Sequence, residues 1–349
     1  RRNMDELYAA DAGMAQAILY LKDNGHLEAV PNVTGQSQNY ALNSSINGKT
    51  VNFNITCVSA GNLTQSIYKI TSVANSSSTS KTNIEAYVLT LPFFWTNAVT
   101  TNGTIDDNGA TIIGPKVPNY PDDKWPFTTQ PALNSFYLAQ VGPAANPPTF
   151  PNPPYPAQNS TAWPADNYTL GTYDVSAPTK PLGPLYRYGD LKTGGGQKGI
   201  WSNIANTFAT VTGTVYVTGD LDIGAPGAGG GNFTINLNNQ TIFAEGDIQI
   251  GNKATITGSG CILAEGNIDF KPNLSSSNTD FVFIMSLQGN VYFAPSGNFY
   301  GSVAGHDYVQ FQPTNYFMLP TEPPTNLNFP MTDLNSLAVR IRTWKISRN

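Results

Sequence analysis

Four segments of this chain align without gaps, and they limit its fold more than any other feature. TVYVTGDLDI (214–223), TIFAEGDIQI (241–250), CILAEGNIDF (261–270) and IMSLQGNVYF (284–293) share an apolar run, a glycine, Asp or Asn, and a second apolar run. Their glycines, Gly219, Gly246, Gly266 and Gly289, recur 27, 20 and 23 residues apart. Short β runs returning at roughly twenty residues are the signature of a parallel β-helix, in which each coil buries its inner face by stacking on the next. Glycine is expected at the bend because it takes φ > 0 freely. The Asp220, Asp247, Asn267 and Asn290 that follow are expected to stack and to satisfy turn backbone groups. Val215 and Val217, Ile242 and Ala244, Ile262 and Ala264 then point inward before the bend. Leu221 and Ile223, Ile248 and Ile250, Ile268 and Phe270 point inward after it. Tyr216, Phe243 and Leu263 stack on the outside, which predicts a covered face.

The remaining segments read differently. VTTNGTIDDNGATIIG (99–114) is expected to be a first coil. Sixteen of the 26 prolines then fall between Pro115 and Pro184, a density that argues against helix or central strand. Trp125, Phe136, Tyr137 and Trp163 make that region an ordered insertion clinging to the surface. The expected divisions are a helix and sheet over 1–95, a first coil over 96–114, the insertion over 115–187, the parallel β-helix over 188–330 and a closing strand over 331–349. The class is mainly β.

The first stretch stands apart. Arg1–Asp23 is rich in Ala and Leu, lacks proline and stops at Asn24-Gly25, so it predicts a helix. Met4, Leu7, Tyr8, Met14, Ile18 and Leu21 approximate its apolar stripe. Lys49–Ala60, Gln65–Ala74 and Asn83–Thr90 read as antiparallel strands, with Val51, Phe53, Ile55 and Cys57 on one face.

Ala9-Ala10-Asp11-Ala12-Gly13-Met14-Ala15-Gln16-Ala17 resembles the stretch that follows the membrane-spanning part of the N-terminal helix in type IV pilins and pseudopilins, closest to the large minor pilins of the PilX-like class. YKITSVANSSSTSKTNIEAYV resembles the strands of the same class, and the repeat resembles the polymer-forming β-helix of bactofilins. The resemblance implies a small antiparallel sheet behind the helix, and a helix stripe that packs in a filament. It also implies a hydrophobic half lying before Arg1, which would be the only membrane contact. The partners implied are other pilin subunits or a tip protein, with surface glycans within reach of the aromatic loops.

Composition narrows the chemistry. Charged residues make up 12% of the chain and the net charge is −5, with no basic stripe, which excludes a nucleic-acid partner. Abundant Gly, Pro, Asn and Thr, and eleven Asn-x-Ser/Thr sequons, favour an extracellular, cell-surface or pilus-associated protein. The two histidines exclude a His-rich metal site. Cys57 and Cys261 are placed either to bridge the sheet to a β-helix face packed on it, or to remain two buried thiols. Glu245 and Glu265 fall at equivalent positions on adjacent coils, about 4.8 Å apart. That is near the carboxyl separation of a retaining glycosidase, and Ca²⁺ is the cation it would admit. No basic residue repeats beside them, so no catalytic residue and no cofactor is assigned. The reading is a structural or adhesive subunit of a pilus-like filament and not an enzyme. Its alternatives are a secreted polysaccharide-binding or polysaccharide-cleaving β-helix and a self-polymerising scaffold.

Overall fold

The computed structural model describes residues 2–22, 30–31, 33–60, 66–75, 81–122, 125, 131–141, 179–182, 184–187, 190–192, 207–224, 233–313, 315–322, 326–329 and 337–348. The chain is mainly β and divides into two compact units, Arg1–Phe93 with Met331–Asn349, and Phe94–Pro330.

In the first unit, helix α1 (Arg2–Lys22) lies on a five-stranded antiparallel sheet. Strands β1 (Ser37–Ala41), β2 (Thr50–Ser59), β3 (Ser66–Asn75) and β4 (Lys81–Pro92) follow in sequence order, and the closing strand Leu337–Arg348 pairs antiparallel with β4. Alternation along β2 buries Val51, Phe53, Ile55 and Cys57 under the helix. Strand β1, SQNYA, has no apolar alternation to announce it. Backbone pairing to β2 holds it, helped by Asn54 Nδ2 donating to Asn39 Oδ1 at 2.8 Å.

The helix face against the sheet is made of small residues. Ala9, Ala10, Gly13 and Ala17 are buried together with Glu6, Met14 and Leu21. A Cβ on Gly13 would lie 2.3 Å from Ser72 Oγ and 2.5 Å from Val51 Cγ1, so the helix sits as close to the sheet as a backbone can. The buried Glu6 carboxylate accepts from the Thr82 hydroxyl at 3.3 Å and lies 3.9 Å from Lys49 Nζ, as a carboxylate under a helix must be partnered. The large-residue stripe expected from sequence is therefore split. Met14 and Leu21 are buried, Leu7 and Ile18 partly so, while Met4 and Tyr8 are exposed.

The second unit is β-helix-like, three parallel sheets wound coil upon coil. The first sheet stacks Leu185–Arg187, Val215–Val217, Thr241–Ala244, Gly260–Ala264, Val282–Ser286 and Asn298–Gly305. The second stacks Leu191–Lys192, Leu221–Ile223, Ile248–Ile250, Ile268–Phe270, Asn290–Phe293 and Tyr308–Phe311. The third stacks Thr179–Leu182, Thr207–Val211, Phe233–Asn236, Ala254–Thr257 and Asn273–Leu274. The inward residues named from the repeat all belong to one buried core. At one end of it the rings of Phe270, Phe293, Phe299 and Phe317 follow one another with centroids 5.5, 4.8 and 4.7 Å apart. Each such ring, once buried, contributes about 1.5–3 kcal/mol.

Three expectations change here. The 99–113 coil is first in sequence but sits at the end of the stack: Val99–Thr101, Thr104–Asp106 and Thr111–Ile113 pair in parallel with the coil 298–318. The stack also begins at Thr179, inside the span assigned to the insertion, and not at 188. Finally, that insertion holds a helix, α2 (Pro131–Val141). Its one proline is at the first helical position, where the missing N–H costs nothing, and the ten residues after it contain none.

Gly13→Val should cost about 1–3 kcal/mol by forcing the helix off the buried, stiff Val51 and Ser72. Thermal unfolding followed by circular dichroism would show it as a lowered Tm, whereas Ala15→Val on the exposed side should leave Tm nearly unchanged.

Candidate functional site

The bends between the first and second sheets form a continuous ladder. Asp190 Oδ1 accepts the N–H of Asp220 at 3.0 Å, Asp220 Oδ1 that of Asp247 at 2.9 Å, Asp247 Oδ1 that of Asn267 at 2.7 Å and Asn267 Oδ1 that of Asn290 at 3.0 Å. Each rung ties a coil to the next through one short side chain. The bend glycines serve this ladder, though not through backbone freedom. None of Gly219, Gly246, Gly266 and Gly289 has positive φ. A Cβ would instead land 2.3 Å from Asp220 Oδ1 at Gly246, 2.1 Å from Asp247 Oδ1 at Gly266 and 2.8 Å from Asn267 Oδ1 at Gly289. The expected φ > 0 is replaced by a volume constraint.

Beside the ladder, Glu245 and Glu265 do lie on adjacent coils, with Glu265 N–H donating to Ala244 O at 3.0 Å. Each carboxylate has its own partner. The Tyr216 hydroxyl donates to Glu245, and Asn134 Nδ2 of α2 donates to Glu265 Oε1 at 2.5 Å. These are the contacts of groups that hold neighbouring segments in place. Among the described residues no three His, Cys, Asp or Glu side chains group as metal ligands.

The outward stack of Tyr216, Phe243 and Leu263 is fully buried, and segments of its own unit lie over it. Tyr137 of α2 stacks on Phe243 with centroids 5.5 Å apart, and its hydroxyl donates to Asn328 O at 3.1 Å. Further along the same sheet, Phe329 meets Phe283, and Trp125 donates its indole N–H to Leu287 O at 3.1 Å. Cys261 lies in this covered layer and Cys57 in the core of the first unit. Both are free thiols, so the Cys57–Cys261 bridge is not formed. Burial pushes both thiols up in pKa, Cys261 strongly, which leaves them inert.

His306 occupies the bend of the coil 298–311. Its Nδ1 lies 2.5 Å from Asp307 Oδ1 and its Nε2 3.0 Å from Asp122 Oδ1, with the Trp125 ring edge-on at 5.3 Å. Burial opposes its charge, yet the two carboxylates outweigh it and raise the pKa. His26, the other histidine, lies outside the described residues, as do Phe127, Phe150, Tyr155, Trp163 and Tyr168.

On α1, the face turned from the sheet carries Met4, Tyr8 and Leu19, exposed at 49%, 56% and 50%. They line up with Asp11, Ala15 and Lys22 along one side of the helix. No helix among the described residues is long and apolar enough to cross a membrane. One polar line escaped the sequence reading: Asp222, Gln249, Asp269 and Tyr292. These are the ninth residues of the four aligned segments, so the signal was the outward position after the bend.

No family model matches the chain, and no curated protein matches it. Among solved structures it is similar to the competence-associated pilin ComZ from Thermus thermophilus, with 10% identity, a TM-score of 0.22 and coverage of 99% of this chain and 98% of that one. So low a TM-score carries no argument about fold or function, and the chain's own residues must carry it.

Two outcomes test this geometry. Gly266→Ala should destabilise by about 1–3 kcal/mol, and by clearly less in an Asp247→Ala background where the oxygen it strikes is gone. A double-mutant cycle in urea that gave additive losses would contradict the volume constraint. For His306 the folded pKa is raised, so its contribution to stability is fully present below about 6.5 and fades as pH rises through the folded value. Tm measured across that range should fall in the parent protein, and His306→Gln should remove this component.

Proposed function

We propose that this chain is a structural subunit of a type IV pilus-like filament or pseudopilus, a minor or tip subunit outside the cell, and not a catalyst. The carrying observation is the two-sided helix α1. Its small-residue face is committed to the sheet through Gly13, and its other side still presents Met4, Tyr8 and Leu19. A surface helix is ordinarily polar opposite its core. Met4 and Tyr8, one turn apart, and Leu19 further along are apolar anchors that a second packing partner would cover. The resemblance of Ala9–Ala17 to PilX-like minor pilins supplies the kind of partner, the helices of neighbouring subunits in a filament. On this reading the bactofilin-like stack is an elaboration carried between β4 and the closing strand.

The alternatives are less well supported. A polysaccharide-cleaving enzyme would need Glu245 and Glu265 free to act on substrate, yet Tyr216 and Asn134 engage them. A self-polymerising stack is opposed in one sheet, where Pro181 in the terminal strand Thr179–Leu182 lacks an N–H to offer a new strand, while the terminal strands of the other two sheets carry no proline.

The test is immunogold electron microscopy of the full-length protein on its native cells. Gold along or at the tips of filaments is the expected result; protein found only free in the medium would overturn the reading. Tyr8→Glu with Leu19→Glu should abolish incorporation while leaving Tm within a degree or two of the parent, because both residues face solvent in the isolated chain.

A further inference from the structure

We infer that the outer face of the second parallel sheet is a binding groove for a neutral, hydroxyl-rich linear glycan. The outward residues of this sheet form a single line in strict register, Asp222, Gln249, Asp269, Tyr292 and Gln310. They line a groove of about 570 Å³. With one residue per strand, the line advances ~4.8 Å per rung and spans ~19 Å, room for a chain and not only for a single small molecule. Asp106, on the terminal coil, stops it at one end by accepting from Tyr308 Oη at 3.0 Å and Gln310 Nε2 at 3.2 Å.

The chemistry selects the ligand class. Two carboxylates, two amides and a phenol follow one another along the line, giving acceptors and donors one strand apart, as pairs of sugar hydroxyls require. Tyr292 is 40% exposed, an aromatic face set among polar groups, suited to the apolar C–H face of a pyranose ring. Charge disfavours an anionic polymer, since among the described lining residues Asp220, Asp222, Asp247 and Asp269 stand against Lys271. A cationic peptide fits less well. Asp269 already pairs with Lys271 at 2.6 Å, and Asp220 and Asp247 already accept backbone N–H groups of the next coil. Beside its carboxylates the groove presents the exposed Gln249 amide and the Tyr292 hydroxyl and ring.

This site does not depend on the filament reading, which concerns α1 alone, so either can fail without the other. The experiment is isothermal titration of the full chain with cellohexaose, the hexamer of N-acetylglucosamine and mannohexaose. Hexagalacturonate and hexalysine serve as charged counterparts. At least one neutral hexamer should bind. Its affinity should drop about tenfold or more in Tyr292→Ala and in Gln249→Ala, and be largely retained in Tyr292→Phe. Both positions face solvent beside inward Val291, Phe293, Ile248 and Ile250, so an unchanged Tm will certify that the variants fold. The inference is overturned if no neutral hexamer binds, if hexagalacturonate or hexalysine binds more tightly than any of them, or if binding survives Tyr292→Ala.

Discussion

Everything in the second unit depends on one repeated hydrogen bond, a side-chain oxygen at each bend accepting the backbone N–H of the coil above it. Parallel strands leave their bends with N–H donors that no ladder partner reaches, and each hydrogen bond that satisfies one contributes about 0.5–1.5 kcal/mol. Asp190, Asp220, Asp247 and Asn267 meet that demand in turn. Because the acceptor must sit where the next coil's side chain would project, the residue there has to be glycine. Hydrogen bonding and excluded volume thus fix the same pair of residues. The pair in turn fixes the register that stacks Val on Ile and Phe on Phe inside.

The first unit follows a different rule with a similar outcome. There a helix and not a coil must come close, and Gly13 with its flanking alanines lets it do so. Small residues at a contact bring backbones together and leave the large side chains free to face elsewhere. On α1 those large side chains are Met4, Tyr8 and Leu19, and the functional reading grows from them.

The sequence made some of this legible and hid the rest for physical reasons. Inward and outward positions of the repeat could be read because side chains alternate with period two, and the Gly-Asx bend because it recurs at aligned positions. The purpose of the glycine could not be read, since freedom and smallness leave the same letter in the chain. Helix α2 was hidden by averaging: proline density over 115–184 concealed an eleven-residue window with its proline in the one harmless place. Strand β1 is polar throughout and exists because β2 offers it a backbone edge. Along α1 the burial of Ala9 and Ala10 in preference to Met4 and Tyr8 depends on how close the sheet approaches, which no periodicity records. The groove line was present at the ninth position of every repeat but looked like an ordinary solvated face until the strands were in register.

The wrapped path of the chain through the stack has a further consequence. A solenoid is ordinarily one-dimensional: each coil touches only its neighbours, and the terminal coil can peel away alone. Here the coil made last, 298–318, is flanked on one side by 282–293 and on the other by 99–113, the coil made first. Contacts such as Thr101 Oγ1 to His306 O, 205 residues apart in sequence, clamp it from both sides. Synthesis therefore leaves the first coil waiting with an open edge until the final one arrives. Once it has arrived, the stack has no loose C-terminal coil from which unzipping could begin.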